Sequence, residues 1–393
     1  MSTSTLDGTA YGVWGDLVGQ DAAVRTLRRA ARGDDHAMTH AWLVVGPPGS
    51  GRSNAARAFA AALQCERPGG VEAGCGSCNG CRTSLSGAHP DVTLVRTEQL
   101  SIGVEEVRDL VRRSAMSPTM RRHQVIVVED ADRVTERGAD ALLKSVEEPA
   151  PGTVWILCAP TPDDVVVTIR SRCRLLALAT PTTDAVARLL VSRDGVEPAL
   201  AAEAARAAQG HVGRARALAR DEAARERRRE ILLMPFGLTG LAACLGAAGR
   251  LVEMCSAEAA AATENLDARE RAALEEALGF GTRGARPRQA AAAIKELEEQ
   301  QRARAKRFQR DAIDRALTEL TGFYRDLLSL QTRSGAPLVN EELAPRLTTL
   351  ARRSTPESTL RRIDALLACR TALEGNVAPL LALESTMVAL VEA

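Results

Sequence analysis

Aromatic side chains make up only 3% of this 393-residue sequence. With alanine and leucine abundant instead, its cores must be mostly helical and built from small aliphatic groups. An excess of charge of one sign is also missing: 51 basic side chains face 50 acidic ones, for a formal net charge of +1. That balance excludes a whole-protein electrostatic grip on nucleic acid, so any such contact must come from a local arrangement. No uninterrupted apolar stretch is long enough to cross a bilayer. The first residues, MSTSTLDGTAYGVWGD, lack a basic start followed by an apolar run, so they do not read as a secretory signal. Nine cysteines are present, an odd number, and four of them crowd between 65 and 81. This pattern suits a reducing compartment with one metal site better than a disulfide framework. A cytoplasmic protein is expected.

The chain is too long for one ordinary domain. From 41 to about 180, short apolar runs alternate with amphipathic stretches. AWLVV (41–45), DVTLV (91–95), QVIVV (124–128), VWILCA (154–159) and RLLAL (174–178) fit buried parallel strands. SNAARAFAAALQ (53–64), GVEEVRDLVRRSA (103–115) and TERGADALLKSVEE (135–148) fit helices between them, the last stopped by Pro149 and Pro151. Together they predict an open α/β sheet with helices on both faces. After 180 the strand signal vanishes, and TTDAVARLLVSR, PALAAEAARAAQ and GRARALARDEAARERRR read as three short helices of a small lid. From 231 onward the pattern is all helical. Residues 287–330 read as one long helix with Ile313, Leu317, Leu320, Leu327 and Leu328 near one face. LGFGTRGARPR (278–288), before it, reads as a loop.

GPPGSGRS (46–53) is one residue short of the phosphate-loop pattern G-x-x-x-x-G-K-[ST]. Gly46, Gly49 and Gly51, with Pro47, Pro48 and Ser50 between them, let the backbone curl so that N–H groups face an anion. The following helix adds its positive end. Ser53 supplies the hydroxyl that ordinarily meets Mg²⁺. The bland alternative is a Gly/Pro turn, disfavoured by a strand before and a helix after. Arg52 stands where lysine is expected. Its guanidinium is wide, planar and satisfied by forked contacts, so the exchange predicts retained nucleotide binding and poor hydrolysis. At the end of the third of these runs, in VIVVEDAD (125–132), Glu129 and Asp130 reverse the usual Asp-Glu order. The metal-facing acid is thus one methylene too long and the water-activating one too short. Two acids at a strand end are otherwise an ordinary solvated turn.

Cys65, Cys75, Cys78 and Cys81 form C-x9-C-x2-C-x2-C. Four thiolates at this spacing predict a closed, structural zinc site, the alternative being a redox Cys-x-x-Cys pair. In TIRSRC (168–173), Arg172 lies at the sheet edge; from the residues alone it is a surface salt bridge or an arginine finger.

In this order, the elements resemble a bacterial clamp-loader subunit of the AAA+ class, part of the DNA polymerase III assembly. WGDLVGQ (14–20) is similar to the family's opening box and THAWLVVGPPGSGRS (39–53) to its phosphate loop. The cysteine module sits where the family inserts its zinc finger. VIVVEDADRV, ALLKSVEEP (141–149) and SRC follow in register, GHVGRARAL (210–218) resembles the lid motif, and GNVAPLLALES (375–385) the end of the collar domain. The resemblance implies an AAA+ domain at 1–180 with the zinc module at 65–81, a lid at 181–230, and a helical collar at 231–393 with an insertion at about 260–310. Motor subunits (gamma/tau) carry the loop lysine and an Asp-Glu pair, so Arg52 and Glu129-Asp130 point to the delta-prime type, whose own ATPase is weak or absent. In the lid, the motor's phosphate-sensing arginine falls on Gly213. The resemblance further implies structural Zn²⁺, ATP or ADP with Mg²⁺ in the loop, and motor and delta subunits as partners. It also implies a sliding clamp, primer–template DNA, and Arg172 as a finger into a neighbouring motor's ATP site; a motor identity is the alternative. Arg108 and Arg112, four residues apart on one helix, are candidates for DNA phosphates or a plain solvated face.

Overall fold

The computed structural model describes residues 12–34, 36–67, 73–97, 101–120, 123–278 and 288–392. The chain divides into two compact units, Met1–Arg220 and Asp221–Ala393.

The first unit is built on five parallel strands: β1 (Ala41–Val45), β2 (Val92–Val95), β3 (Gln124–Val128), β4 (Thr153–Ala159) and β5 (Arg174–Ala177). Their order is β2-β3-β4-β1-β5. Every residue of β1, β3 and β4 is buried, which is why these strands are continuous apolar runs in the sequence. Alternate side chains feed two cores. On one face Trp42, Val44, Val127 and Ile156 pack with Leu27 of α1 (Asp21–Arg32) and Phe59 of α2 (Arg52–Leu63). On the other face Leu43, Ile126, Trp155 and Leu157 pack with Leu110 of α4 (Val104–Ser114) and Leu142 and Val146 of α5 (Glu136–Glu147). Between them in the chain, α3 (Asn79–Ser86) packs on α2, and α6 (Val167–Arg170) on α5. Helix α1 has no counterpart in the expectations from sequence. The doubly covered parallel sheet is as expected. Its strand order brings the loops after β1 and β3 to the same carboxyl edge, where open α/β sheets bind ligands.

Three helices complete this unit: α7 (Thr183–Asp194), α8 (Pro198–Ala208) and α9 (Val212–Arg220), packed on one another. The third expected lid helix is interrupted. Asp221 leaves helical geometry, and its carboxylate accepts a hydrogen bond from the Ala223 N–H at 2.9 Å, starting α10 (Glu222–Leu233). An aspartate at a helix start satisfies a backbone donor that has no helical partner. The run of Ala and Arg on both sides carries no Gly or Pro to announce the break. The two units divide here.

The second unit comprises α10, α11 (Leu241–Ala277), α12 (Arg288–Thr332), α13 (Ala344–Ala351), α14 (Pro356–Glu374) and α15 (Pro379–Glu392). Ile313, Leu317, Leu320, Phe323 and Leu327 of α12 centre its core against Leu251, Leu366, Leu383 and Met387. Leu328 lies at the margin and is half-buried. Within about 260–310, the described residues up to Ala277 and from Arg288 onward belong to two long helices packed along each other. Arg304 is buried and reaches Asp267 at 2.9 Å and Glu270 at 2.8 Å, while Arg271 meets Glu298 at 2.9 Å. Most of the loop expected at 278–288 lies outside the described residues.

No helix of the described residues is long and apolar enough to cross a membrane.

Candidate nucleotide and metal sites

The loop between β1 and α2 has the backbone that its glycines predict. Gly49 and Gly51 take φ of 82° and 95°, a region L side chains rarely adopt. Two loop amides are already engaged: Gly46 N–H donates to Pro160 O and Ser50 N–H to Pro47 O. The first bond of α2 runs from Ala55 N–H to Gly51 O at 2.8 Å. The amides of Arg52, Ser53 and Asn54 precede it, at the positive end of the helix where anions are favoured.

Only three of the 51 basic residues are lysines, so arginine at position 52 says little by composition; its geometry says more. The half-buried Arg52 side chain folds back, and Nη1 donates to the carbonyl oxygen of Gly46 in its own loop. Burial lowers its pKa, opposed by the nearby carboxylates of Asp132, Asp130 and Asp164. The second departure has a structural consequence as well. Glu129, buried at the end of β3, lies 2.5 Å from Nε of Arg57. The longer carboxylate that stands first in the acid pair therefore meets a cation from α2. Burial raises the Asp132 carboxyl pKa.

Two residues at this edge were missed by the sequence reading. Gln20, buried just before α1, donates through Nε2 to Ser50 O at 3.2 Å and to Ala179 O at 2.6 Å. Its Oε1 accepts from Ala179 N–H at 3.1 Å. One amide thus joins the opening box, the loop and the start of the lid connection. His211, between α8 and α9, packs against the loop so closely that a Cβ on Gly49 would collide with it. Its Nδ1 accepts from Arg214 N–H at 3.2 Å. Neither contact leaves a local signature, because the partners are distant in sequence.

The four cysteines converge. The Sγ atoms of Cys65, Cys75, Cys78 and Cys81 all lie within 4.8 Å of one another, with none in a disulfide. A ZnS4 tetrahedron with Zn–S bonds of about 2.3 Å needs sulfurs about 3.8 Å apart. Backbone N–H groups already point at the sulfurs: Glu66 and Cys81 donate to Cys78 Sγ, and Cys78 to Cys75 Sγ, each at 3.4 Å. Burial pushes the Cys75 thiol up, but bonds from Ser77 and Cys78 outweigh it and bring the pKa down to about 6. Burial pushes Cys81 up. The donor set fits zinc, and the module is fixed to the sheet domain by Val13 N–H to Gly74 O and Trp14 Nε1 to Ala73 O, both 2.9 Å.

Arg172 lies across the domain surface, just before β5. It ion-pairs with Glu147 at the end of α5, and Nη1 donates to Thr168 O at 2.7 Å. Arg108 and Arg112 each pair with an acid one turn earlier, Glu105 and Asp109.

Residues 19–182 match the family model described as DNA polymerase III, delta subunit. The chain is 37% identical over 166 residues to DNA polymerase III subunit delta' of Pseudomonas aeruginosa, covering 42% of this chain and 50% of that protein. These matches support a clamp-loader subunit of the AAA+ class. The other clamp-loader type is similar too: DNA polymerase III subunit tau of Bacillus subtilis is 30% identical over 171 residues, 44% of this chain and 30% of the relative. The chain thus spans half, or less than a third, of these clamp-loader relatives' own lengths. Among solved structures, a DNA polymerase III gamma subunit-related protein of Thermotoga maritima gives a TM-score of 0.36 at 16% identity, over 75% of this chain and 99% of that one. That likeness is too slight to weigh.

Proposed function

We propose that the chain is a delta-prime-type, largely non-hydrolysing subunit of a replicative clamp loader. It joins gamma/tau motor and delta subunits, through the collar helices of 231–393, in an assembly that places a sliding clamp on primer–template DNA. The observation that carries this reading is Arg52 folded onto the Gly46 carbonyl. Phosphoryl transfer requires a compact cation poised between phosphate oxygens, and a guanidinium tied to the loop backbone is a poor substitute. In this reading the loop holds a nucleotide through its backbone, the four cysteines hold a structural zinc ion, and Arg172 reaches the ATP site of a neighbouring motor subunit. Glu147 and the Thr168 carbonyl orient Arg172 at the rim, so it is presented as a shaped donor.

The test is ATP turnover by the reconstituted assembly. Arg172→Ala should lower clamp- and DNA-stimulated turnover by about tenfold or more, with the variant chain still folded and incorporated. Unchanged turnover would remove the finger role.

A second reading, an ATP-hydrolysing gamma/tau-type motor, is favoured by the tau relative matched over a stretch of similar length. Turnover by the purified chain alone, beside an Arg52→Lys variant, separates the two. The proposed subunit should be nearly silent, and a brisk wild-type chain would make it a motor.

A further inference from the structure

We propose that the loop at residues 46–53 takes the phosphates of a nucleoside di- or triphosphate without a divalent cation, because side-chain guanidinium groups already stand where the cation would be needed. The inference rests on the reading of this loop as nucleotide-holding and specifies its ligand chemistry.

Magnesium at such a site needs the Ser53 hydroxyl and a carboxylate at the end of β3. The residues present do not fit that demand. The carboxylate in the metal-facing position belongs to Glu129, which is only 7% exposed and 2.5 Å from Arg57 Nε. A hard divalent cation binds through oxygen and keeps near-ideal octahedral geometry. To enlist Glu129 it would have to displace a guanidinium from a buried, charge-assisted bond. Arg52 adds a second cation inside the loop itself, and the bond to Gly46 uses one of its five N–H donors. The others remain for phosphate oxygens, and a guanidinium suits these in forked pairs.

A separate feature marks the loop interior as built for a polar guest. Ser50 is 3% exposed, and its Oγ has no hydrogen-bond partner among the described residues. It lies 2.6 Å from where Gly46 would carry a Cβ. A buried hydroxyl without a partner is costly unless a ligand meets it. The arrangement as a whole supplies backbone amides, the Arg52 guanidinium and a hydroxyl to an anion, with Glu129 engaged by Arg57.

The experiment is calorimetric titration of the full chain with ADP and with ATP, in Mg²⁺ and in EDTA. The Kd values should agree within about twofold. Binding weaker by about tenfold or more in EDTA would overturn the proposal, and so would the absence of binding in both media. Arg57→Gln releases Glu129, so Mg²⁺ should then tighten binding by about tenfold; indifference to Mg²⁺ in a folded variant would count against the displaced-cation account. Should that variant fail to fold, Arg57→Lys keeps a cation beside Glu129 and should bind equally in both media, a Mg²⁺ requirement overturning the account. These outcomes concern this chain's own site, whereas the Arg172 test is read in the neighbours' turnover, so either can fail alone.

Discussion

The two units handle charge in opposite ways. In the sheet unit the two strand cores are apolar; one group of charges, Arg57 with Glu129 and Arg52 near Asp132, lies at the carboxyl edge, and the buried Asp91 before β2 accepts from the Thr119 and Met120 amides. In the helical unit ion pairs lie within the packing itself. Arg228 of α10 is buried against Glu319 of α12 at 3.2 Å, with Glu342 at 2.9 Å and the Asn340 side chain as further partners. Asn340 in turn donates to Asp326, fully buried, from its backbone at 2.8 Å and its side chain at 2.9 Å. Charge at the carboxyl edge of the sheet pairs beside the loop after β1, while charge inside the helical unit joins one helix to another.

The contrast is most exposed to test at Arg228. Arg228→Ala removes the buried cation that meets Glu319, and should cost about 3–5 kcal/mol. Denaturant unfolding followed by hydrogen exchange would show lost protection in 222–392 with 12–220 retained. Equal loss in both units would erase the distinction. Within the sheet unit, the sharpest steric constraint lies in the cysteine module. A Cβ on Gly80 would run into the Gln64 carbonyl oxygen, so Gly80→Ala should cost about 1–3 kcal/mol. It should also reduce bound zinc below one equivalent per chain, read by metal analysis. The smallest effect is expected at Arg304. Its partners Asp267 and Glu270 are partly exposed and remain solvated when it is lost. Arg304→Met should therefore shift stability by less than about 1 kcal/mol, by thermal unfolding. A larger loss would place this pair with Arg228 as a fixing contact.

What could be read from sequence followed from range. Strands β1, β3 and β4 are visible because full burial makes each a continuous apolar run; β2 and β5 also read as apolar runs, but at the two edges of the sheet they are only partly buried, against the expectation of buried strands. The phosphate loop was visible because its glycines, the strand before it and the helix after it are contiguous, and the cysteine cluster because its members fall within 17 positions. Three things were not legible. The break at Asp221 is a single capping residue inside a uniform Ala/Arg stretch. The Glu129–Arg57 pair joins residues 72 apart, so its effect on the acid pair has no local signal beyond the order of the two acids. Gln20 gathers partners 30 and 159 residues away, a role that only the closed sheet reveals.

The seat of His211 on Gly49 has a mechanical meaning. Because Gly49 carries no side chain, His211 packs directly on the loop backbone, so a shift of α8 and α9, which flank His211, would press on the loop without a second side chain to absorb it. The bareness of that glycine transmits posture from one to the other, and a single added methyl there would prop the lid ajar before it altered any chemistry.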